Sequence, residues 1–511
     1  MIVPFNVRDF LDRAERAYPD RHALVDEPDQ PADEWGTLTF AELAARARAQ
    51  AAGLDALGVG PGERVAIVSH NSARLLTSFF GVCGSGRVLV PVNFRLTEPE
   101  VAYIVEHSGA SVLLLDPELE SSLAAVDAPE RFVLGAESDQ VLFPEGAEPR
   151  PWEPDEDAVA TINYTSGTTA RPKGVRLTHR NCWVNAALFG WHVQVSDRDV
   201  YLHTLPMFHA NGWGMPWATA GMGCPQVVLR KVDGTEVLRR VERHGVTLLC
   251  AAPAVVKATL DALATWEDPV PGRDHTRVVV AGAPPPSRTI ERIESELGWE
   301  FIQIYGLTET APLLTVNRQR AEWDDLPASE RARKLMRAGV PAIGTELVVD
   351  DAGEVLARSN TVMDGYWQQP EATQEALAGG WFHTGDGGVL DEEGHLQILD
   401  RKKDVIISGG ENVSSIEVED VIFSMPGVAE VAVIGVPDDR WGELVTALVV
   451  VDGTTPVTEE RVIAYCRERL AGFKCPKRVE LREALPRTAT GKLQKFKLRS
   501  EFWEGRERQV N

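Results

Sequence analysis

The stretch Tyr164-Thr165-Ser166-Gly167-Thr168-Thr169-Ala170-Arg171-Pro172-Lys173-Gly174-Val175 gathers hydroxyl-bearing and small residues around one lysine. It follows directly on the apolar run Ala158-Val159-Ala160-Thr161-Ile162. A strand that empties into such a loop turns backbone N–H groups, hydroxyls and a cation toward a single point. That arrangement suits a polyphosphate, with Thr165, Ser166, Gly167, Thr168, Thr169 and Lys173 as the contacting residues. The spacing is not that of a Walker loop. Pro172 stands where the second glycine belongs, and Gly174 where Ser or Thr would hold a metal.

Five further stretches follow in order: Tyr305-Gly306-Leu307-Thr308-Glu309-Thr310, Thr384-Gly385-Asp386, Asp400-Arg401-Lys402-Lys403-Asp404, Ser408-Gly409-Gly410-Glu411-Asn412, and Pro486-Arg487-Thr488-Ala489-Thr490-Gly491-Lys492. Together with the lysine loop they resemble the adenylate-forming superfamily of acyl-CoA ligases, peptide-synthetase adenylation domains and beetle luciferases. The resemblance covers essentially the whole chain. In its terms the five stretches are the adenine- and magnesium-contacting motif, the ribose turn, the hinge, the loop that enters for thioester formation, and the catalytic-lysine motif. The resemblance implies ATP, Mg²⁺ and coenzyme A, and an acyl-adenylate passed on to CoA.

The chemistry explains why such residues are needed. A carboxylate does not acylate a thiol unaided, because its oxide is a very poor leaving group. Attack on the α-phosphate of ATP is the natural activation, and the repulsion between two anions must then be neutralised. Lys173 and the loop would hold the β- and γ-phosphates, Thr308 offers a hydroxyl to the α-phosphate, and Glu309 offers a hard oxygen to Mg²⁺. By resemblance, Lys492 bridges the acid and the α-phosphate. Asp386, in a tight turn after Gly385, can accept both ribose hydroxyls, with Arg401 adding a second contact. Tyr305 can lie against adenine, with Gly282, Ala283 and Pro284 on the opposite face and Gly306 beside it. Lys403 matches the family's hinge, and Gly409 with Gly410 would let the backbone approach the pantetheine arm.

Pro206-Met207-Phe208-His209-Ala210-Asn211-Gly212-Trp213-Gly214-Met215-Pro216-Trp217 resembles the lining of the acid and CoA tunnels, in wording closest to medium- and long-chain fatty acyl-CoA ligases. There Trp213 would gate the acyl channel and His209 would help to place the acid. Trp213 and Trp217 could equally cap a short pocket or pack in the core. Ala170 departs from the family, which usually has glycine there. If that position needs a positive φ, alanine costs on the order of 1 kcal/mol and retunes the loop.

These residues need a scaffold, and the chain supplies alternating strands and helices. Thr39 and Glu42 form a capping box before the helical run Leu43 to Leu57, and Thr97 and Glu100 another before Val101 to His107. Between and after them, Arg64 to Val68, Val88 to Val92, Ser111 to Leu115, Val246 to Leu249 and Arg277 to Val280 read as buried strands. The pattern predicts an α/β fold of βαβ units with a mainly parallel sheet. Its character changes near residue 400, where two strand signals (428 to 436, 444 to 451) and one helical run (462 to 470) make a small α+β unit. The expected organisation is a large N-terminal domain, 1–400, and a small mobile C-terminal lid, 401–511, with the hinge at 400–403.

The bulk properties set outer bounds. A chain of 511 residues, 44% apolar, can bury more than one core. A net charge of −24 excludes nucleic acid and anionic membrane surfaces as partners. The six cysteines (83, 182, 224, 250, 466, 475) form no C-x-x-C pair, which suits a reducing cytoplasm. Met1 to Asp9 has no basic segment followed by a long apolar run, so no signal peptide is expected, and no 18-residue apolar run predicts a membrane span. The expected partners are small molecules: a hydrophobic or aromatic carboxylic acid, ATP and CoA. The assembly state is left open, a homodimer among the options.

The sequence therefore reads as an ATP-dependent acid–CoA ligase releasing AMP and pyrophosphate. Two other readings stay open. One keeps adenylation but delivers the acid to a carrier-protein thiol or an amine, including activation of nitrite for diazotisation. The other is a silent nucleotide-binding regulatory protein, against which intact Lys173, Glu309, Asp386 and Lys492 stand.

Overall fold

The computed structural model describes residues 1–165, 171–282, 285–401, 405–408, 411–438, 440–487 and 493–503, the side chains of Arg401 and Asn412 excepted. Two large sheets form the body. One has nine strands, in the order Val340–Pro341, Thr315–Arg318, Glu300–Tyr305, Arg277–Val280, Leu248–Ala251, Tyr201–His203, Gln226–Val228, His22–Val25, Thr37–Thr39. The other has seven: Gly365–Tyr366, Lys173–Thr178, Val159–Thr165, Val88–Val92, Arg64–Val68, Ala110–Leu115, Glu130–Val133. The inner strands of both are parallel, as expected; antiparallel neighbours close both edges of the nine-stranded sheet and one edge of the seven-stranded sheet, whose other edge strand, Glu130–Val133, is parallel.

The side-chain alternation of each strand explains the layering. Val65 and Ile67 face one apolar cluster, and Ala66 and Val68 face another; Leu248 and Cys250 likewise separate from Leu249 and Ala251. The shared cluster lies between the two sheets and takes in the helices Ala73–Gly81, His179–His192 and Met215–Gly221. The outer face of the nine-stranded sheet is covered by Gly234–His244 and Pro253–Leu263, and that of the seven-stranded sheet by Glu98–Ser108. Strands buried on both faces must be apolar throughout, which is why they read as continuous hydrophobic runs. The predicted capping box at Thr39 forms: Glu42 N–H donates to Thr39 Oγ1 at 3.2 Å, and Thr39 N–H to Glu42 Oε2 at 2.7 Å. Glu100 likewise accepts from Thr97 N–H at 2.7 Å.

The change of character begins earlier than the sequence suggests. Thr345–Val349, Glu354–Ser359, Phe382–Leu390 and Leu396–Arg401 already make a separate, wholly antiparallel four-stranded sheet. Beyond it, Glu411–Val413, Ile406–Ser408, Gly442–Val451 and Val428–Asp438, with Arg478–Leu481 alongside, build the small C-terminal domain. Three helices pack on it where the sequence suggested one. Ser415–Phe423 and Glu459–Arg467 cover one face, and Lys495–Trp503 the other. Sheet membership therefore changes between Arg401 and Ile406. All six cysteines are free and buried. Among the described residues no helix is long and apolar enough to cross a membrane.

Candidate active site

Val159–Thr165 and Lys173–Thr178 pair antiparallel, and their last register pair is Thr165 with Lys173. The chain thus leaves a strand end at Thr165 and returns at Lys173. Ser166, Gly167, Thr168 and Thr169, like Ala170, lie outside the described residues. Packing explains why Gly174 differs from a Walker loop. A Cβ there would sit 2.9 Å from Ile162 Cγ2 and 3.1 Å from the Tyr164 ring, so only glycine lets the returning strand lie this close. Lys173 Nζ stands over the Tyr366 ring, 4.7 Å from its centroid. The Tyr366 hydroxyl donates to Glu309 Oε1 at 3.0 Å. One aromatic ring therefore joins the lysine that ends the first motif's hairpin to the carboxylate of the second motif, and no sequence motif singled it out. Tyr366 reaches this place because Gly365–Tyr366 adds a short strand beside Arg176 and Val175.

The second motif leaves the nine-stranded sheet at Tyr305. Gly306 is sterically required, since a Cβ would fall 1.5 Å from Pro312 O. Thr308–Thr310 is a single tight helical turn, and Thr310 Oγ1 accepts from Leu307 N–H at 3.0 Å and donates to Pro312 O at 2.7 Å. The Glu309 carbonyl accepts from Met363 N–H at 2.8 Å, which draws in the segment bearing Tyr366. Tyr305 to Glu309 are all half-buried between buried neighbours, as the wall of a cleft would be. The Tyr305 hydroxyl donates to Asp386 Oδ2 at 2.8 Å. Asp386 lies in the strand Phe382–Leu390, not in the tight turn the sequence suggested; Gly385, at φ 70°, supplies the local kink. Gly385 N–H donates to Glu354 Oε1 at 3.0 Å, and Asp386 N–H to Thr384 Oγ1 at 3.1 Å. Arg401 pairs with Asp386 across the strands by backbone register, its side chain lying outside the described set. Gly282 is exposed at φ 95° beyond the strand Arg277–Val280, while Ala283 and Pro284 lie outside the described residues.

On the acid side, Ala210, Asn211, Gly212 and Trp213 have φ of 45°, 55°, 58° and 61°, and Gly214 continues at 78°. This is a left-handed turn. Each non-glycine residue in it costs on the order of 1–2 kcal/mol, so the surroundings must impose it. Trp213 is 4% exposed in the central core, its ring 6.4 Å from Phe189. His209, at the start of the turn, is half-buried. Trp217 packs edge-on to Phe79 and donates its indole N–H to Phe79 O at 3.1 Å, which is core packing. Lys403, Gly409, Gly410 and Lys492 lie outside the described residues. Ser408 pairs with Glu411 on either side of the glycine pair, and Arg487 with Leu493 on either side of the lysine segment.

The arrangement brings together Lys173 and the Thr308–Thr310 turn, each at a strand end, and two carboxylates, Glu309 in that turn and Asp386 within a strand of the third sheet. Polyphosphate, ribose and a hard divalent cation are what such donors suit. Comparison with known proteins agrees. The AMP-binding enzyme family matches residues 11–367, and the AMP-binding enzyme C-terminal domain matches 417–492. The chain is 39% identical to 4-hydroxybutyrate–CoA ligase 2 of Metallosphaera sedula, over 96% of this chain and 93% of that one. It is 37% identical to the peroxisomal acetate/butyrate–CoA ligase of Arabidopsis thaliana, over 97% and 94%. O-succinylbenzoate CoA synthetase of Bacillus subtilis, in complex with AMP, superposes with a TM-score of 0.81 at 30% identity, covering 98% of this chain and 99% of that one. The chain belongs to the AMP-binding enzyme family, the adenylate-forming class. Within it, the protein is an ATP-dependent, AMP-forming acyl-CoA synthetase that uses ATP, Mg²⁺ and CoA.

Proposed function

We propose that this enzyme activates a short aliphatic monocarboxylic acid, acetate to butyrate in size, and transfers it to CoA in the cytoplasm. The observation that carries the reading is the line from Lys173 through Tyr366 to Glu309, set beside the Tyr305–Asp386 pair. It offers a cation and a metal-binding carboxylate on one side and a ribose-binding carboxylate on the other. Buried, free cysteines suit the reducing compartment.

In the first step a carboxylate oxygen of the acid attacks the α-phosphorus, and the bond to pyrophosphate breaks. Lys173 and the loop from Thr165 to Thr169 hold the β- and γ-phosphates, and Thr308 donates to the α-phosphate. Asp386, fixed by Tyr305, accepts the ribose hydroxyls with Arg401 beside it. Tyr305 and the segment Gly282, Ala283, Pro284 flank the adenine. Lys492 spans the acid and the α-phosphate and offsets the charge that builds between them. Glu309 would hold Mg²⁺, whose charge would offset that of the triphosphate. In the second step the CoA sulfur, having lost its proton, attacks the acyl carbon, and AMP leaves. Gly409 and Gly410 flank the pantetheine arm once the chain has turned about Lys403.

Acid size follows from Trp213. The Trp213 ring, held on a left-handed turn with its centroid 6.4 Å from that of Phe189, would floor the acid pocket beside His209. The relatives named for 4-hydroxybutyrate and for acetate and butyrate support short acids over the aromatic ones suggested by the sequence. The test is pyrophosphate release across acetate, butyrate, octanoate and benzoate, each with and without CoA. Preference for octanoate or benzoate would remove Trp213 as the floor. Pyrophosphate release with no CoA thioester formed would point to another acceptor.

A further inference from the structure

The left-handed turn needs an external cause, and three side chains supply it. Thr161 Oγ1 donates to Asn163 Oδ1 at 2.9 Å, Asn163 Nδ2 donates to Asn211 Oδ1 at 3.0 Å, and Asn211 Nδ2 donates to Thr161 Oγ1 at 2.9 Å. The three bonds close a ring in which each group donates once and accepts once, and its members are 0%, 2% and 1% exposed. Asn163 Nδ2 also reaches Phe208 O at 3.4 Å, and Asn211 Nδ2 reaches Cys182 Sγ at 4.0 Å. Such a closed buried ring is stiff, because losing one member costs its buried neighbours a hydrogen bond. Thr161 and Asn163 lie on one face of the strand that ends at Thr165, where the phosphate loop begins. A second clamp holds the far end of the turn. Asn185 Nδ2 donates to Trp213 O at 3.2 Å, and Asn185 Oδ1 accepts from Leu313 N–H at 3.1 Å, just beyond the Glu309 motif. A Cβ on Gly214 would lie 2.5 Å from Asn185 Nδ2, so glycine there is the condition for this clamp.

We propose that Asn211, through its ring with Thr161 and Asn163, is a positioning residue that sets the depth of the acid pocket. The ring fixes the Trp213-bearing turn in register with the strand that feeds the phosphate loop. Asn211 and its partners are buried and bonded to one another, so they act through the turn. The inference rests on the proposed reading that Trp213 floors that pocket.

Thr161→Val keeps the side-chain shape and breaks the ring, Thr161→Ser keeps the hydroxyl, and Asn211→Gly frees the backbone while removing the amide. The readouts are KM for butyrate, KM for ATP, the butyrate-to-octanoate ratio of kcat/KM, and a thermal melt. Thr161→Val is expected to raise the acid KM about ten-fold, worth about 1.4 kcal/mol, and to compress the chain-length ratio, with KM for ATP nearly unchanged. Asn211→Gly should act the same way, and it covers the case in which the valine variant folds poorly. Thr161→Ser should stay close to wild type. Variants that melt earlier yet keep the acid KM and the ratio, or that raise both KM values alike, would overturn the proposal. Trp213→Ala separates the two ideas. If it leaves the chain-length ranking untouched, the pocket reading itself fails. If it changes the ranking while Thr161→Val and Asn211→Gly do not, only the positioning role fails.

Discussion

Replacing Tyr366 with phenylalanine removes one oxygen atom from the line joining Lys173 to Glu309 and leaves the ring in place. The lost bond is the 3.0 Å contact from the Tyr366 hydroxyl to Glu309 Oε1. A hydrogen bond to a carboxylate contributes about 1.5–3 kcal/mol, and the half-burial of Glu309 favours the lower end. The expected fall in kcat/KM for MgATP is therefore roughly ten-fold. The ring still lies under Lys173, so the cation–π contact at 4.7 Å survives. Tyr366→Leu removes that contact too and should cost about 0.5–1 kcal/mol more. The assay is pyrophosphate release at saturating acid while magnesium and ATP are varied, alongside a thermal melt. Tyr366→Phe should shift the magnesium dependence, leave the acid KM alone and melt close to wild type, since its packing is kept. An unchanged magnesium dependence and unchanged kcat/KM would show that Tyr366 does not orient Glu309, and the line drawn through it would lose its meaning.

The remaining expectations are shorter. Gly306→Ala places a methyl group 1.5 Å from Pro312 O, so the Thr308–Thr310 turn must shift and adenylation should fall by at least about a hundred-fold; near-normal ATP–pyrophosphate exchange would contradict this. Lys492→Ala should abolish adenylate formation while sparing thioester formation from supplied acyl-adenylate, and equal losses in both half-reactions would remove the lysine from its single-step role. Burial pushes the His203 imidazole down to about 4, against the pull of its bond to Gln226. A depressed histidine favours the folded state fully above the ordinary value near 6.5, and that contribution is lost as pH falls from there through 4. His203→Asn should therefore flatten the decline in melting temperature over that window, and parallel declines would assign the acid sensitivity elsewhere.

What was legible in the sequence depended on what the chemistry demands locally. The lysine loop showed itself because phosphate binding concentrates small, hydroxyl-bearing and cationic residues in one contiguous stretch. Strands buried on both faces showed themselves as apolar runs, and the capping box at Thr39 by its spacing. Tyr366 did not, because its role arises from a two-residue edge strand that only tertiary pairing creates. The ring of Thr161, Asn163 and Asn211 was invisible for a related reason. Two members sit on one strand and the third follows 48 residues after Asn163, so no local pattern joins them. Trp213 and Trp217 share composition and context, yet only the first rides the left-handed turn, while the second bonds to Phe79 O. Periodicity does not separate a pocket wall from a core plug, since both are buried aromatic rings.

The domain boundary poses a different problem, because the proposed turning of the lid requires some contacts to persist and others to break. Asp400 is 6% exposed and pairs with Gly387 in the four-stranded sheet. Its Oδ2 accepts from Ser415 Oγ at 2.5 Å, and Ser415 also contacts Lys495, which pairs with Glu419 at 2.8 Å. Ser415, Glu419 and Lys495 all belong to the C-terminal domain, so this cluster clasps the last residues of the large domain's sheet. Asp400 precedes the proposed pivot at Lys403 by three positions, and a rotation displaces least the atoms close to its axis. Lys495 also opens the helix Lys495–Trp503, three positions after Lys492 in the chain. A second cross-boundary contact is placed differently. Ser287 N–H donates to Asp420 Oδ1 at 2.8 Å, and Ser287 Oγ at 3.0 Å, far along the chain from the pivot and near the Gly282 segment. If the chain turns about Lys403, the first cluster can act as a bearing while the second must break. Of these two contacts, one is placed to persist through such a turn and the other to be exchanged.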